Sequence, residues 1–396
     1  MAMIIREKYL ERIRPFYNSD VIKVITGIRR CGKSVLLRSI MEELSERSDN
    51  IIFLNFERSS DFAAAGTPEK LGGYVKANRK PGLCYVFLDE VQEVEGWQNV
   101  VKDLRLDSCS VFVTGSNSKL LSSEFLTLLS GRFVSFRVHP FVYEEITEYA
   151  NELNITVSPN DYLIWGGFPG RFLYTGLQAT VDYLGEIENT IVINDLINRY
   201  GIKKTALFKK IVAFILKNNS RILSARSIYR AIKEEDNEVS LNTVISYIDH
   251  LKEAYIINSI PQYSLKAKKE LSFYEKVYDE DVCFNSLHAA FGRYDLDHNL
   301  ENVVYHELIY RGYDLKVFDN NGKEIDFLAS KNGKSYFVQV AYSVLDDKAY
   351  EREFEAFKSL DQSNYKILIT CDSIDYSTST VKHIKFEDFL AMSDLP

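Results

Sequence analysis

The run Gly27, Ile28, Arg29, Arg30, Cys31, Gly32, Lys33, Ser34 has the pattern G-x-x-x-x-G-K-S. Glycines there let successive backbone N–H groups turn toward one point, and a helix starting at the lysine adds its positive end. The result is a cradle for phosphate, in which Lys33 reaches the β and γ phosphates and the Ser34 hydroxyl coordinates Mg²⁺. Bound ATP or ADP is therefore expected along 27–35, from Gly27 to Val35. Arg29 and Arg30 either contact phosphate or face solvent.

A second signal is Asp89-Glu90, directly after the apolar run CYVFL at 84–88. Asp89, at the end of a buried strand, is placed to hold Mg²⁺. Glu90 is the candidate base that polarises the attacking water. A third apolar run, VFVT at 111–114, ends in Gly115-Ser116-Asn117. Asn117 or Ser116 there either orients the water or forms a plain turn. Asn55, closing the run at 51–54, shares that rim and either holds Glu90 inactive without ligand or has no such role. Arg132, ahead of the strand at 133–138, either stabilises transition-state charge, in cis or on a neighbouring subunit's nucleotide, or is a surface residue.

These side chains need elements to position them. VIKVI at 21–25 reads as a short buried strand leading into the loop. The helix after it has apolar Val35, Leu36, Leu37, Ile40 and Met41 at helical spacing. Runs apolar on both faces imply a buried parallel sheet, and ligands of such sheets sit outside the carboxyl ends of the strands. The first 150 residues thus read as an α/β P-loop core.

At this point the residues resemble a known family. KVITGIRRCGKS (23–34), FLDEVQEVEGW (87–97), VTGSNSKLLSSE (113–124) and LSGR (129–132) are similar to one group of prokaryotic ATPases of the AAA superfamily. WGGFPG (165–170), LENVVYHEL (300–308), EIDFLA (324–329) and FVQVAYS (337–343) resemble its later motifs. The resemblance implies an AAA-type ATPase whose C-terminal half is a domain of unknown function with a restriction-endonuclease-like fold. It places the ATP site on 27–34, Asp89 and Glu90, with Asn117 and Arg132 less directly matched. The superfamily's lid arginine has no clear counterpart beyond Arg199.

The middle reads as a helical and winged-helix domain. Helices are expected across 151–198, at 207–216, from Ser224 as a cap, and from Ser240 through 244–251, with a strand at 255–260. Three helices followed by a strand is the order of a winged helix-turn-helix. The segment 196–233 carries ten bases (Arg199, Lys203, Lys204, Lys209, Lys210, Lys217, Arg221, Arg226, Arg230, Lys233) and no acid. Double-stranded DNA, met through its phosphates, is one partner this allows, and a docked protein is the other. Asp249 and Glu253 on the third helix weaken base-specific reading.

The C-terminal part reads as a helix, three strands, a helix and a strand, the core order of restriction-endonuclease-like folds. Asp326 stands where such enzymes need an acid. The following E-x-K is Gln339-Val340-Ala341, and neither glutamine nor alanine replaces the missing groups. Nuclease activity is therefore not expected. The expected division is 1–150 ATPase core, 151–262 helical lid and winged helix, and 263–396 degenerate nuclease-like domain. The leading function is Mg²⁺-dependent ATP hydrolysis coupled to repositioning of the later modules. Alternatives are a slow-turnover nucleotide switch acting as a scaffold in signalling or defence, and a disfavoured ATP-dependent nuclease.

Composition narrows the class. The 396 residues hold 19 glycines and 8 prolines, too few for collagen-like or linker-rich chains. The net charge of −8 conceals the basic segment. No run approaches the roughly 20 apolar residues of a membrane helix. Five scattered cysteines without a C-x-x-C pair fit reduced thiols, and the expected setting is cytoplasmic. An oligomer is allowed by Arg132.

Overall fold

The computed structural model describes residues 3–116, 120, 129–233, 239–264, 275–320, 322–358 and 360–396. Its residues divide into two compact units, Met1–Pro140 with Glu253–Tyr255, and Phe141–Lys252 with Ile256–Pro396. No helix among the described residues is long and apolar enough to cross a membrane.

The first unit is built on five parallel strands, β1 Ile22–Thr26, β2 Ile51–Asn55, β3 Cys84–Asp89, β4 Cys109–Gly115 and β5 Phe133–Arg137. They stand in the order β2-β3-β4-β1-β5. Every residue of β1, β3 and β4 is buried, which is why those runs are mostly apolar rather than alternating. One charged residue stands in the middle of them. Lys23 lies mid-β1 and is fully buried, its ammonium donating to Ser110 Oγ at 2.7 Å and Ser19 O at 3.3 Å. It also sits 4.4 Å over the Phe112 ring. Burial pushes the Lys23 ammonium down to about 7. The helix Lys33–Ser45 buries Leu36, Leu37 and Ile40 of the expected stripe together with Leu44, while Val35 and Met41 are half-buried.

The second unit opens with the helices Tyr143–Leu153, Pro159–Trp165 and Leu177–Thr190. Ser158 caps the second of these by accepting from Asp161 N, with Pro159 at the first helical position. Then come the helix Thr205–Lys217, β6 Arg221–Leu223, the helices Ala225–Lys233 and Leu241–Glu253, β7 Ile257–Ser264 and β8 Glu275–Asp279. Ser224 and Ser240 hydroxyls accept from Ser227 N and Thr243 N, capping as expected. After the helix Leu296–Tyr310 follow β9 Asp314–Asn320, β10 Lys323–Lys331, β11 Lys334–Ala341, the helix Asp347–Glu355, β12 Tyr365–Thr370 and β13 Val381–Lys385.

All eight of these strands form one sheet, ordered β13-β12-β11-β10-β9-β7-β8-β6. β7 pairs with β8 antiparallel and with β9 parallel, Tyr263 standing opposite Phe318. The division expected after residue 262 therefore falls inside a strand, and 151–262, apart from Glu253–Tyr255, shares a unit with 263–396. The division expected after 150 also shifts, because the helix Tyr143–Leu153 belongs wholly to the second unit.

WGGFPG has a packing role. Gly166 takes φ +64, and a Cβ there would lie 1.5 Å from Asp281 Oδ1. Gly167 N donates to Asp281 Oδ2 at 2.7 Å, and Cys283 N donates to Asp281 Oδ1 at 2.9 Å. The backbone must approach this carboxylate closely, and only glycine permits it.

Candidate functional site

β1 ends at Thr26 and the chain turns at once through Gly27 (φ +145), Arg30 (φ +67) and Gly32 (φ +101). A Cβ on Gly27 would meet Val138 O at 2.1 Å, so the loop is pressed onto the end of β5. Cys31 Sγ donates to the same carbonyl at 3.3 Å. From the amino-terminal segment, buried Arg6 donates to Cys31 O at 3.1 Å and lies 4.4 Å over the Tyr9 ring. The loop is thus clamped from two sides.

Lys33 is 4% exposed and donates to the carbonyls of Gly27 and Ile28, both at 3.0 Å. Its Nζ is 4.0 Å from Glu90 Oε1. Ser34 Oγ donates to Asp89 Oδ1 at 3.0 Å. Thr114 Oγ1 donates to that oxygen at 2.5 Å and accepts from Glu90 N at 2.9 Å. Asn55 Nδ2 donates to Asp89 Oδ2 at 2.7 Å. Asp89 is fully buried, and burial raises its carboxyl above the usual range although Thr114 and Ser34 pull the other way. Glu90 takes φ +52, unusual for a residue with a side chain, and accepts from Gln92 Nε2 at 2.5 Å and Ser116 Oγ at 3.3 Å.

The structure thus brings Gly27, Gly32, Lys33, Ser34, Asp89 and Glu90 to one place, the carboxyl edge of the parallel sheet. Val35 continues the helix beside them, half-buried. Arg29 pairs with Glu57 at 3.3 Å. Two expectations change. Asn55 holds Asp89 rather than Glu90, because β2 and β3 are in register and Asn55 stands opposite Asp89. Arg132 does not reach this edge in cis. Its carbonyl accepts from Ile22 N, at the start of β1, and Ile22 stands opposite Phe133. That places Arg132 at the amino edge, about 15 Å away at roughly 3.3 Å per strand residue. The arginine that β5 brings to its carboxyl end is Arg137, opposite Thr26, its guanidinium 4.5 Å over the Tyr255 ring. Asn117 lies outside the described residues.

Thr114 and Arg6 were missed by sequence reasoning. Thr114 is the polar residue closing VFVT, a signal that was present but assigned to its successors. Arg6 had none. Ser34 Oγ and Asp89 Oδ1 are two hard oxygen donors in contact, a set that suits Mg²⁺. The positive-φ loop with a backbone-held lysine suits a polyphosphate.

The bases of the segment 196–233 are mostly exposed. Lys209, Lys210 and Lys217 stand on the helix Thr205–Lys217, and Arg226, Arg230 and Lys233 on the helix Ala225–Lys233. In the C-terminal part, Gln339 Oε1 accepts from Asp326 N at 3.3 Å while its Nε2 donates to Glu353 Oε2 at 2.7 Å. Gln339 there serves as a bridge between strand and helix.

A mixed α/β chain with a parallel-sheet core and a glycine-bent loop after its first strand falls in the class of AAA-type P-loop proteins. Residues 19–147 match the family described as an AAA domain, and 158–289 match a family described as a domain of unknown function (DUF8612). An uncharacterized protein of Haemophilus influenzae is 33% identical over 383 residues, covering 93% of this chain and 94% of that protein. The chain belongs to the same family as this relative. An uncharacterized protein of Methanocaldococcus jannaschii is 28% identical over 370 residues, covering 88% of this chain and 81% of its own length. Among solved structures, AMPPCP-bound DnaA from Aquifex aeolicus aligns at 17% identity over 62% of this chain and 86% of that one, with a TM-score of 0.34. A superposition that loose carries no argument about this chain.

Proposed function

We propose that the first unit binds ATP or ADP with Mg²⁺ and hydrolyses ATP. The observation that supports this most is the convergence of Lys33, Ser34, Asp89 and Glu90 at the carboxyl edge of one parallel sheet, with Lys33 Nζ 4.0 Å from Glu90 Oε1 and Ser34 Oγ 3.0 Å from Asp89 Oδ1. The backbone from Gly27 to Val35 would cradle the phosphates, and Lys33 would exchange its two loop carbonyls for phosphate oxygens. Ser34 and Asp89 would hold Mg²⁺, which neutralises phosphate charge. Glu90, once released by Gln92 and Ser116, takes the proton of the attacking water. Arg132, at the opposite edge, is left for a neighbouring subunit's nucleotide. A proper test is the steady-state ATPase rate with Mg²⁺, using Glu90→Gln as the blank. Wild-type turnover with a loss of about 10²–10⁴-fold in the variant supports the reading. Equal rates would refute it.

The second unit is read as a winged helix joined to a nuclease-like module without nuclease chemistry. The helix–strand–helix–helix–strand–strand order with β6 and β7 flanking β8 supports the first part. The basic segment 196–233 supports contact with double-stranded DNA phosphates, hydrolysis being coupled to repositioning of this unit. Stimulation of the ATPase by duplex DNA tests the coupling. A slow nucleotide switch with a protein partner is the second reading. It is favoured by Glu90's engagement with Gln92 at 2.5 Å, which keeps the base occupied.

A further inference from the structure

Lys276, the second residue of β8, is only 4% exposed. Its Nζ lies 2.6 Å from Glu301 Oε1, 2.7 Å from Glu324 Oε1 and 2.9 Å from Asp326 Oδ1. Glu301 comes from the helix Leu296–Tyr310, while Glu324 and Asp326 come from β10. Other oxygen lone pairs are taken up nearby. Tyr278 OH donates to Glu301 Oε1 at 2.7 Å, and Val340 N donates to Asp326 Oδ2 at 2.9 Å.

Three carboxylates converging on one cation is how oxygen ligands gather about a divalent ion. The distances here are instead those of charge-assisted N–H···O bonds. Among the described residues, no group of three His, Cys, Asp or Glu is arranged to hold a metal ion. Access does not explain this. A cavity of about 520 Å³ touches Glu324, Asp326, Gln339 and Glu353, so water and ions reach the cluster's edge. Occupation explains it. We propose that the Lys276 ammonium is the resident cation of this carboxylate site, standing in for a divalent ion and closing the site to metal.

The charge balance agrees. Burial opposes the charge on Lys276, but Asp326, Glu301 and Glu324 outweigh it and hold the ammonium protonated well above its ordinary range. Removing the lysine would strand buried carboxylates without a counter-charge, which is strongly unfavourable unless another cation enters. The inference does not depend on the nucleotide reading of the first unit.

The test uses the full chain without nucleotide, as wild type, D326N, K276A and K276A/D326N. Terbium(III) binding is followed by emission sensitised through Tyr278, and thermal unfolding is followed with and without Mn²⁺. Wild type and D326N should bind equally. K276A should gain one equivalent of terbium that K276A/D326N lacks, and Mn²⁺ should raise its unfolding midpoint. An equivalent bound by wild type and lost in D326N would overturn the proposal, as would a folded K276A that gains none. If K276A folds only with metal, the proposal stands. If it folds in neither condition while K276M/E301Q/D326N folds, a metal cannot replace the ammonium and the proposal fails. Failure of that triple variant as well would mean that packing by the lysine stem, not its charge, is what the site needs, and would equally overturn it.

Discussion

Asp89 is held by three side-chain donors, Ser34, Thr114 and Asn55, each from a different segment. Thr114 is the central one because its hydroxyl also receives Glu90 N. Thr114→Val leaves Ser34 as the remaining donor to Asp89 Oδ1 and strands a buried amide. Chemical denaturation should show a loss of about 2–3 kcal/mol, with Thr114→Ser within about 1 kcal/mol of wild type. Lys23 gives a pH prediction. Its ammonium ordinarily titrates near 10.5 and is pushed down to about 7 by burial. Between those values the unfolded chain holds a proton that the folded chain has released, so unfolding takes up a proton and stability rises with pH. The wild type should gain about 2 kcal/mol relative to Lys23→Met between pH 7.5 and 9. Parallel stability curves for the two chains would show that Lys23 does not titrate there.

At the scale of elements, glycines decide where backbones meet. Gly166 sits against Asp281 with left-handed φ, whereas Gly185 lies within the helix Leu177–Thr190 with nothing within 4 Å of an added Cβ. Gly166→Ala should therefore cost at least about 3 kcal/mol, since both the conformation and the space are wrong. Gly185→Ala should gain about 0.5–1 kcal/mol by helix propensity alone. Urea titrations of the second unit's transition distinguish the two, and equal effects would contradict the packing role given to WGGFPG.

At the scale of the whole molecule, charge is distributed unevenly. The chain carries net −8, yet the exposed faces of the helices Thr205–Lys217 and Ala225–Lys233 are basic. If these faces meet DNA, log affinity should fall linearly with log salt, by about 0.9 per phosphate neutralised. Arg226→Glu with Arg230→Glu should reduce that slope by about two. Fluorescence anisotropy with a duplex, from 50 to 300 mM salt, measures it, and a flat response would remove DNA as the partner of this face.

Much was legible from the chain alone, because it depends on neighbours in sequence. The glycine-bent loop, the lysine and serine opening a helix, the acidic pair ending an apolar strand, and the Ser224 and Ser240 caps are set by local dihedrals and hydrogen bonds. Tertiary structure decided what those residues touch. That Asn55 meets Asp89 follows from β2–β3 register. Arg132 stands at the wrong edge because β5 runs parallel to β1. β7 joins β8 to β9 across residue 262, and Lys276 of β8 reaches carboxylates 25 to 50 residues further along. Strand register and order depend on segments far apart in the chain, and periodicity reports only which face is apolar, never which partner will cover it.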